Sequence, residues 1–441
     1  MQSRFRISTF QIIVLGFIGL ILAGALLLML PIASREAGSV PFGDCLFTAT
    51  SAVCVTGLVV RDTATCWTPF GQAVILLLIQ VGGMGVVTVS ICMAFLTGRR
   101  IGLRQRSVMQ EAIAAPQVGG IVRLTRFIVL TALAIELAGA LLLLPVFVPA
   151  FGWGQGVWYA VFHAVSAFCN AGFDLMGVRA PFSSLTAFSG NVLLNLTVVL
   201  LITVGGIGFL VWNDLREHGL HLKQYRLQSK IVLVTSAVLV AVPFLWFLLC
   251  EMPEKTAGER VLPALFQAVT LRTAGFNTVD LSRMSGGGQA MMIFWMLVGG
   301  SPGSTAGGMK TTTIAVALLT TVAVFRRKEH VESFGRRVGE DTVRGAIAIL
   351  TLYLVLLFAG GTAISRLEGI PLVTCLFETA SAVGTVGLTL GVTPGLGTVS
   401  RVILMLLMFL GRVGGLTMIY AAQSARRPVK GTLPLEKVTV G

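Results

Sequence analysis

Charge is what this chain has least of. Only 12% of its 441 residues are Asp, Glu, Lys or Arg, against about 25% in an ordinary soluble domain. Apolar residues make up 55%, which excludes a water-soluble fold. Cysteine offers no scaffold: seven cysteines form no CxxC pair and no cluster with metal-ligand spacing, so they read as small apolar thiols. Cys45 and Cys66 fall on the same predicted outer side, which leaves a disulfide between them open. Acid is nearly missing from the apolar runs, Glu136 being alone in 127–148, and none of the four histidines lies in a span. His218, His221 and His330 fall in polar connections and His163 opens a short half-helix. Catalytic signatures are absent or broken. Gly299-x-Ser301-x-Gly303 imitates a nucleophile elbow without a strand or a His/acid pair. Gly303…Gly308-Met309-Lys310-Thr311 imitates a phosphate-binding loop, with Met309 inserted before the lysine and no preceding strand. No enzyme and no nucleotide site are expected.

What is present is a series of apolar runs, at 9–32, 73–97, 127–148, 192–212, 231–250, 289–300, 313–325, 346–364 and 402–422. Most approach the roughly 20 residues that cross a bilayer. The first is longer than the roughly 7–15 residue core of a signal peptide and further spans follow, so it reads as a retained span. The net charge of +14 is unevenly spread. Segments 1–8, 98–126, 214–230, 326–344 and 423–441 hold 22 Lys and Arg, and the alternate segments 32–72, 148–190, 250–289 and 366–398 hold 8. Cationic short loops stay cytoplasmic, so the expectation is a multi-pass protein of the cytoplasmic membrane with both termini inside. The charge is then a topology signal rather than a nucleic-acid footprint. The same basic segments are placed to meet anionic membrane lipid or an acidic cytoplasmic partner.

One phrase recurs: TSAVCVTGL at 50–58, VSAFCNAGF at 165–173, VTLRTAGF at 269–276 and ASAVGTVGL at 380–388. With Phe47, Phe162 and Phe377 in register, Ser51, Ser166 and Ser381 follow at +4 and Gly57, Gly172 and Gly387 at +10. The remaining copy starts at Phe266, keeps a hydroxyl at Thr270 and reaches Gly275 one residue early. Around each phrase lie a long apolar helix, a short apolar half-segment and a second long helix marked by VGGMG (81–85), VGGIG (204–208), GGSPGSTAGG (299–308) or GRVGG (411–415).

The expected fold is therefore an all-α polytopic membrane protein. Four tandem helix–pore loop–helix repeats (1–98, 99–215, 216–326 and 327–441) give eight spanning helices around one pseudo-fourfold pore. Irregular backbone survives at membrane depth only where protein or water covers it. Four such loops about one axis can present a ring of inward carbonyls to a cation, with the negative ends of the half-helices behind them. The filter is expected at Val55, Thr56 and Gly57; Asn170, Ala171 and Gly172; Thr273, Ala274 and Gly275; and Thr385, Val386 and Gly387, with a cation held at the four glycines. Pairs such as Gly82–Gly83 and Gly205–Gly206 in the second helices read instead as packing positions.

The stretch 299–313 should interrupt the second helix of the third repeat, since Pro302 lacks a donor and its glycines weaken helix. A polar loop below the filter is a gate candidate, built from Gly299, Gly300, Ser301, Pro302, Gly303, Ser304, Thr305, Gly307, Gly308 and Lys310. Arg412, in the middle of the last apolar run, is expected to face the path as an electrostatic barrier, the alternative being a pair with Glu136. Asp62, Asp174 and Asp280 follow three of the glycines and are placed to concentrate cations outside. Arg272 is expected to hydrogen-bond carbonyls behind the filter.

These phrases, with RTAGFNT at 272–278 and the glycine-rich break of the third repeat, resemble the Trk/Ktr/HKT superfamily of cation transporters over nearly the whole chain. The span count is most like the Ktr-type membrane subunit. That resemblance implies K⁺ uptake, a glycine at all four filter positions going with K⁺ and a serine in the first repeat with Na⁺. It also implies an intramembrane gate loop, a homodimer with one pore per protomer, and a cytosolic nucleotide-binding regulatory ring docked on the basic loops. A Na⁺-coupled or Na⁺-permeable secondary transporter of the same superfamily is the alternative.

Overall fold

The structure is a computed structural model that describes residues 8–35, 40–85, 102–113, 119–252 and 256–415, together with 417, 434 and 436. The inner part of the 73–97 run, part of the basic segment 98–126 and most of the C-terminal tail lie outside the described residues.

The architecture is helical, and one unit recurs four times. The first holds α1 (Thr9–Leu28), α2 (Phe42–Val53), the single turn α3 (Thr63–Cys66) and α4 (Pro69–Met84). After α5 (Leu103–Ile113), the second unit begins with α6 (Ile121–Phe168) and continues through α7 (Val192–Gly206) and α8 (Phe209–His218). The third contains α9 (Leu227–Cys250), α10 (Ala257–Thr270), α11 (Gly286–Leu297) and α12 (Thr311–Phe325). A two-residue hairpin, β1 (Glu332–Ser333) with β2 (Arg336–Arg337), leads to α13 (Glu340–Glu368), α14 (Leu372–Gly384) and α15 (Thr398–Val413).

Local chemistry sets these boundaries. Ser8 and Gln11 form a reciprocal capping box at the start of α1, with bonds of 2.9 and 3.2 Å; such boxes satisfy otherwise orphaned amides. Pro69 occupies the first turn of α4 behind the Thr68 cap, where its missing N–H costs nothing. Asn191 caps α7 on Leu194 at 2.9 Å. The 48-residue α6 is two helices in one. Pro145 and Pro149 precede Gly152, whose φ of 79° breaks the helix, so the segment before it spans and the segment after it returns as a half-helix. His163 therefore lies well inside that half-helix rather than opening it.

Among the described residues four helices, α1, α6, α9 and α13, are each long and apolar enough to cross a membrane on their own. Their outward faces carry a belt of exposed residues, among them Leu15, Leu130, Leu137, Val238, Leu249 and Val355. A continuous apolar belt of this extent suits lipid rather than water. The second helices are shorter than the sequence predicts. Gly85, Gly208 and Gly414 take φ values of 86°, 102° and 90° and end or bend α4, α7 and α15. Between α7 and α8 the bend is 92°. The sequence predicts a broken second helix in the third unit alone. The structure also breaks that of the second unit, between α7 and α8, and ends α4 and α15 at Gly85 and Gly414. Each of these glycines takes a positive φ that no helix contains. α8 also runs through the expected 215/216 junction, so the second unit ends slightly later.

The half-helices α2, the end of α6, α10 and α14 converge on the centre. Phe47, Phe162, Phe266 and Phe377 are completely buried and seat them against their own units. Three of the second helices, α4, α7 and α15, approach a half-helix through a glycine. A Cβ built on Gly82 would strike the Val53 carbonyl, one on Gly205 the Phe168 carbonyl, and one on Gly411 the Val383 carbonyl. The packing expectation holds for Gly82 and Gly205, and also for Gly83 against Cys169. Gly206 has room to spare, its nearest neighbour being Asn170 at 3.4 Å. Asp44 pairs with Arg61 of its own unit and with Arg401 of the last, both at 2.7 Å, and the second pair ties the first unit to the last. Cys45 and Cys66 are thiols, not a disulfide.

Gly205→Ala is expected to cost about 1–3 kcal/mol, as overpacking does, and Gly206→Ala less. Melting temperatures of the two variants in detergent check the order.

Candidate functional site

The four repeated phrases meet at one place, and their backbones share one conformation. Val55, Asn170, Thr273 and Thr385 all have positive φ, at 55°, 58°, 61° and 52°. So do the glycines two residues later, Gly57 (90°), Gly172 (69°), Gly275 (82°) and Gly387 (92°). The residues between them, Thr56, Ala171, Ala274 and Val386, do not. Alternation of this kind gathers successive amides on one side of the strand and turns successive carbonyls to the other. Non-glycine residues in the left-handed region are costly and persist only where surroundings hold them.

The glycines form a closed ring. A Cβ on Gly57 would lie 2.5 Å from the carbonyl oxygen of Ala171. One on Gly172 would meet that of Ala274 at 2.8 Å, and one on Gly275 that of Val386 at 2.5 Å. One on Gly387 would strike that of Thr56, which closes the circle. The units therefore follow one another around the axis in chain order, each glycine abutting the carbonyl before the next.

Hydroxyls fix this backbone from behind. The Gly57 amide donates to Ser51 Oγ at 3.1 Å and the Gly387 amide to Ser381 Oγ at 3.0 Å. In the other two units the hydroxyl donates instead, Ser166 to the Phe173 carbonyl at 2.7 Å and Thr270 to that of Phe276 at 2.5 Å. One amide further in, Thr56, Ala171 and Val386 donate to the carbonyls of Ser51, Ser166 and Ser381. Ala274 donates to Thr270, so the missing residue of the third copy is absorbed without losing the bond. The hydroxyls of Thr56, Thr273 and Thr385 are buried and have no hydrogen-bond partner among the described residues.

Inside the ring lies the interrupted helix of the third unit. The break runs from Val298 to Lys310; Thr311–Thr313 already form the first turn of α12, so the loop is shorter than the expected 299–313. It is pinned on two sides. Toward the second unit, the Ser301 amide donates to the Gly206 carbonyl at 3.0 Å and the Thr305 hydroxyl to the Phe168 carbonyl at 2.9 Å. The Thr305 hydroxyl also reaches Asn170 Oδ1 at 3.3 Å. Toward the fourth, the Gly308 amide donates to Gly411 at 3.1 Å, and Gly307 and Gly308 lie against Thr385 and Gly384. The Gly303 carbonyl accepts from the Phe209 amide at 2.6 Å, which is why α7 turns aside at Gly208. Gly299 and Gly300 face the returning strand at Gly307 and Ala306, where a Cβ would collide. Pro302, Ser304 and Lys310 line a cavity of ≈ 390 Å³ on the inner side, with Met84, Glu111 and Arg412.

Arg412 donates to three carbonyls: Thr305 of the loop, Gly82, and Gly83 at 2.8 Å. It neutralises the carbonyl end of α4 and clamps the loop to the first unit. It does not pair with Glu136, whose carboxylate accepts two bonds from Gln80, at 2.9 and 3.0 Å. Lys310 donates to the Ala306 carbonyl at 2.8 Å, within its own loop.

Several outer expectations are revised. Arg272 is buried, but its Nε and Nη2 have no hydrogen-bond partner among the described residues, so these two atoms brace no carbonyl there. Its own carbonyl instead accepts from Asn170 at 3.2 Å. Asp62 is spent on structure: it caps α3 and accepts the Phe182 amide at 2.9 Å, joining the first two units. Asp174 accepts the Met176 amide at 2.8 Å. Asp280 is exposed, and hydrogen bonds from Ser282 hold its carboxyl below the usual carboxylate range. Its charge faces Arg283 at 3.4 Å. The Asp44 clamp and the Gln80–Glu136 pair were not anticipated, since nothing in sequence spacing brings those residues together.

Four half-helices that close one ring of glycines and carbonyls, within a shell of long apolar helices, define a polytopic helical membrane protein. Comparison with known proteins agrees. The TrkH cation transport protein family model matches residues 2–426. The chain is 39% identical to the potassium/sodium uptake protein NtpJ of Enterococcus hirae, over 100% of this chain and 99% of that one. It is 38% identical to the Ktr system potassium uptake protein B of Bacillus subtilis, over 94% and 93%. Among solved structures, the potassium transporter TrkH of Vibrio parahaemolyticus superposes with a TM-score of 0.74 at 20% identity, covering 96% of this chain and 86% of that one. The chain belongs to the TrkH family of cation transport proteins.

Arg412→Ala is expected to free the Thr305 carbonyl and raise amide exchange across 301–308 roughly tenfold, the scale of a lost charged hydrogen bond. Hydrogen–deuterium exchange read by mass spectrometry checks it.

Proposed function

We propose that this chain takes up K⁺ across the cytoplasmic membrane through the central path, with the glycine ring as its selectivity filter. The closed ring of four glycine–carbonyl contacts carries this reading. Carbonyls of Thr56, Ala171, Ala274 and Val386, with those of Val55, Asn170, Thr273 and Thr385 beneath, replace part of a dehydrated cation's water shell. The half-helices end here and add their negative poles. The printed names of the relatives, potassium uptake and potassium/sodium uptake, agree with a monovalent cation as cargo. The second name also favours Na⁺ permeability or coupling as the alternative. One short filter strand per unit supplies fewer carbonyl rings than a longer filter, so partial Na⁺ permeation is expected.

The loop Gly299–Lys310 is the gate. It spans the inner mouth of the ring, and Arg412, joined to its Thr305 carbonyl, places a positive charge beside the path. Opening requires that bond and those to Gly205, Gly206 and Gly411 to break together. A partner supplies the work: a cytosolic nucleotide-binding ring, docked on inner basic segments that include 214–230 and 326–344. The Ktr system named for the Bacillus relative supports such a partner. A homodimer, with both termini of each protomer inside, completes the reading.

The test is flux from K⁺-loaded liposomes into K⁺-free Na⁺ or bulky-cation buffer. Wild type is expected to be K⁺-selective. Gly57→Ser is expected to pass Na⁺, because its Cβ must push the Ala171 carbonyl out of the ring. Deletion of 301–308 is expected to speed flux severalfold. Absence of cation flux from all three correctly inserted proteins would overturn the proposal.

A further inference from the structure

The residue after each register phenylalanine is polar and buried: Thr48, His163, Gln267 and Glu378 are 1%, 1%, 0% and 0% exposed. A buried polar side chain at the same place in four membrane-embedded half-helices is costly unless it finds a partner. In two units that partner is the outer end of the filter strand. The Leu175 amide, three residues past Gly172, donates to His163 Nε2 at 3.4 Å. The Leu390 amide, three residues past Gly387, donates to Glu378 Oε1 at 2.9 Å. Glu378 also accepts the hydroxyls of Thr389 at 2.6 Å and Thr393 at 2.5 Å. His163 is held for the task. Its Nδ1 lies 2.7 Å from the Tyr159 carbonyl, so Nδ1 carries the proton and Nε2 is the acceptor. Its ring packs on Phe147, centroids 4.9 Å apart, and on Phe276 of the next unit at 6.3 Å.

Thr48 turns back on the Asp44 carbonyl at 2.8 Å, and neither amide atom of Gln267 has a hydrogen-bond partner among the described residues. The straps thus occur in the second and fourth units, which face each other across the ring.

We infer that His163 and Glu378 are positioning residues that anchor the outer ends of two opposite filter strands and thereby set the discrimination between K⁺ and Na⁺. This rests on the reading of the ring as a filter. Serine and threonine hydroxyls hold each strand at its glycine or at the residue after it; the straps hold it three residues past the glycine. Without them, backbone kept left-handed against its own preference has one fewer restraint at its open end.

The experiment compares His163→Leu with His163→Gln, and Glu378→Met with Glu378→Gln, in the full-length chain. Two readouts are taken: the K⁺-to-Na⁺ flux ratio in liposomes, and the K⁺ against Na⁺ shift of melting temperature in detergent. The glutamine variants retain an acceptor and are expected to stay within about twofold of wild type. The leucine and methionine variants are expected to lose roughly tenfold in the ratio, the scale of one hydrogen bond removed from a buried donor. Leucine or methionine variants that keep the wild-type ratio overturn the inference. So does a glutamine variant that loses as much as its apolar counterpart, since volume rather than the acceptor would then matter. If His163→Leu does not insert, the Glu378 pair decides by the same criteria. Gly57→Ser is run alongside: if it too leaves the ratio unchanged, the filter reading itself falls, whereas a shift there alone removes only the straps.

Discussion

Everything in this molecule serves the contact between each glycine of the ring and the carbonyl that precedes the next. Backbone without helical bonds survives in a bilayer only under cover, and here four such strands cover one another. Each needs a left-handed residue, a residue of ordinary φ and a glycine in succession. The glycine is required twice over, by its dihedral and by the neighbouring carbonyl that a Cβ would strike. Moving one strand moves the surface against which the next is seated.

The surrounding structure is a set of devices that bring these strands within reach. Gly82, Gly205 and Gly411 let second helices press against the ends of half-helices, and three residues on, Gly85, Gly208 and Gly414 turn the chain away. The space this leaves on the inner side is where the loop of the third unit lies. That loop is not slack. It borrows carbonyls from Gly205, Gly206 and Gly411 and lends that of Thr305 to Arg412. An arginine in a span is costly to bury, and Arg412 offsets that cost by joining three carbonyls from two units. A loop held by several bonds to different units is sensitive to small relative movements of those units, which is what the proposed gate requires.

Much of this was legible beforehand. The recurrence of Phe, hydroxyl and Gly fixes the number of units and their order, and the third unit's missing residue is already visible in the spacing of Thr270 and Gly275. The ring residues could be named because the phrase is the same local solution four times. The breaks at Gly85, Gly208 and Gly414 were less visible, since a glycine within an apolar run reads equally as packing or as a bend. The polar residues after each register phenylalanine share one position, so an alignment of the four phrases contains them. Their differing chemistry, Thr, His, Gln and Glu, hides the common place. Arg272 differs from expectation because a cation beside carbonyls invites hydrogen bonds, and its Nε and Nη2 find none among the described residues.

The sequence by itself determined the membrane class, the fourfold repetition and the glycines, because hydropathy, recurrence and the need for positive φ act locally and leave marks in order along the chain. Only the tertiary structure decided that the four strands close in cyclic order, that Arg412 holds the loop rather than Glu136, and that Asp44 joins the first unit to the last. Those contacts bring together residues up to 357 positions apart. Their geometry arises only once four separate units have packed around one axis.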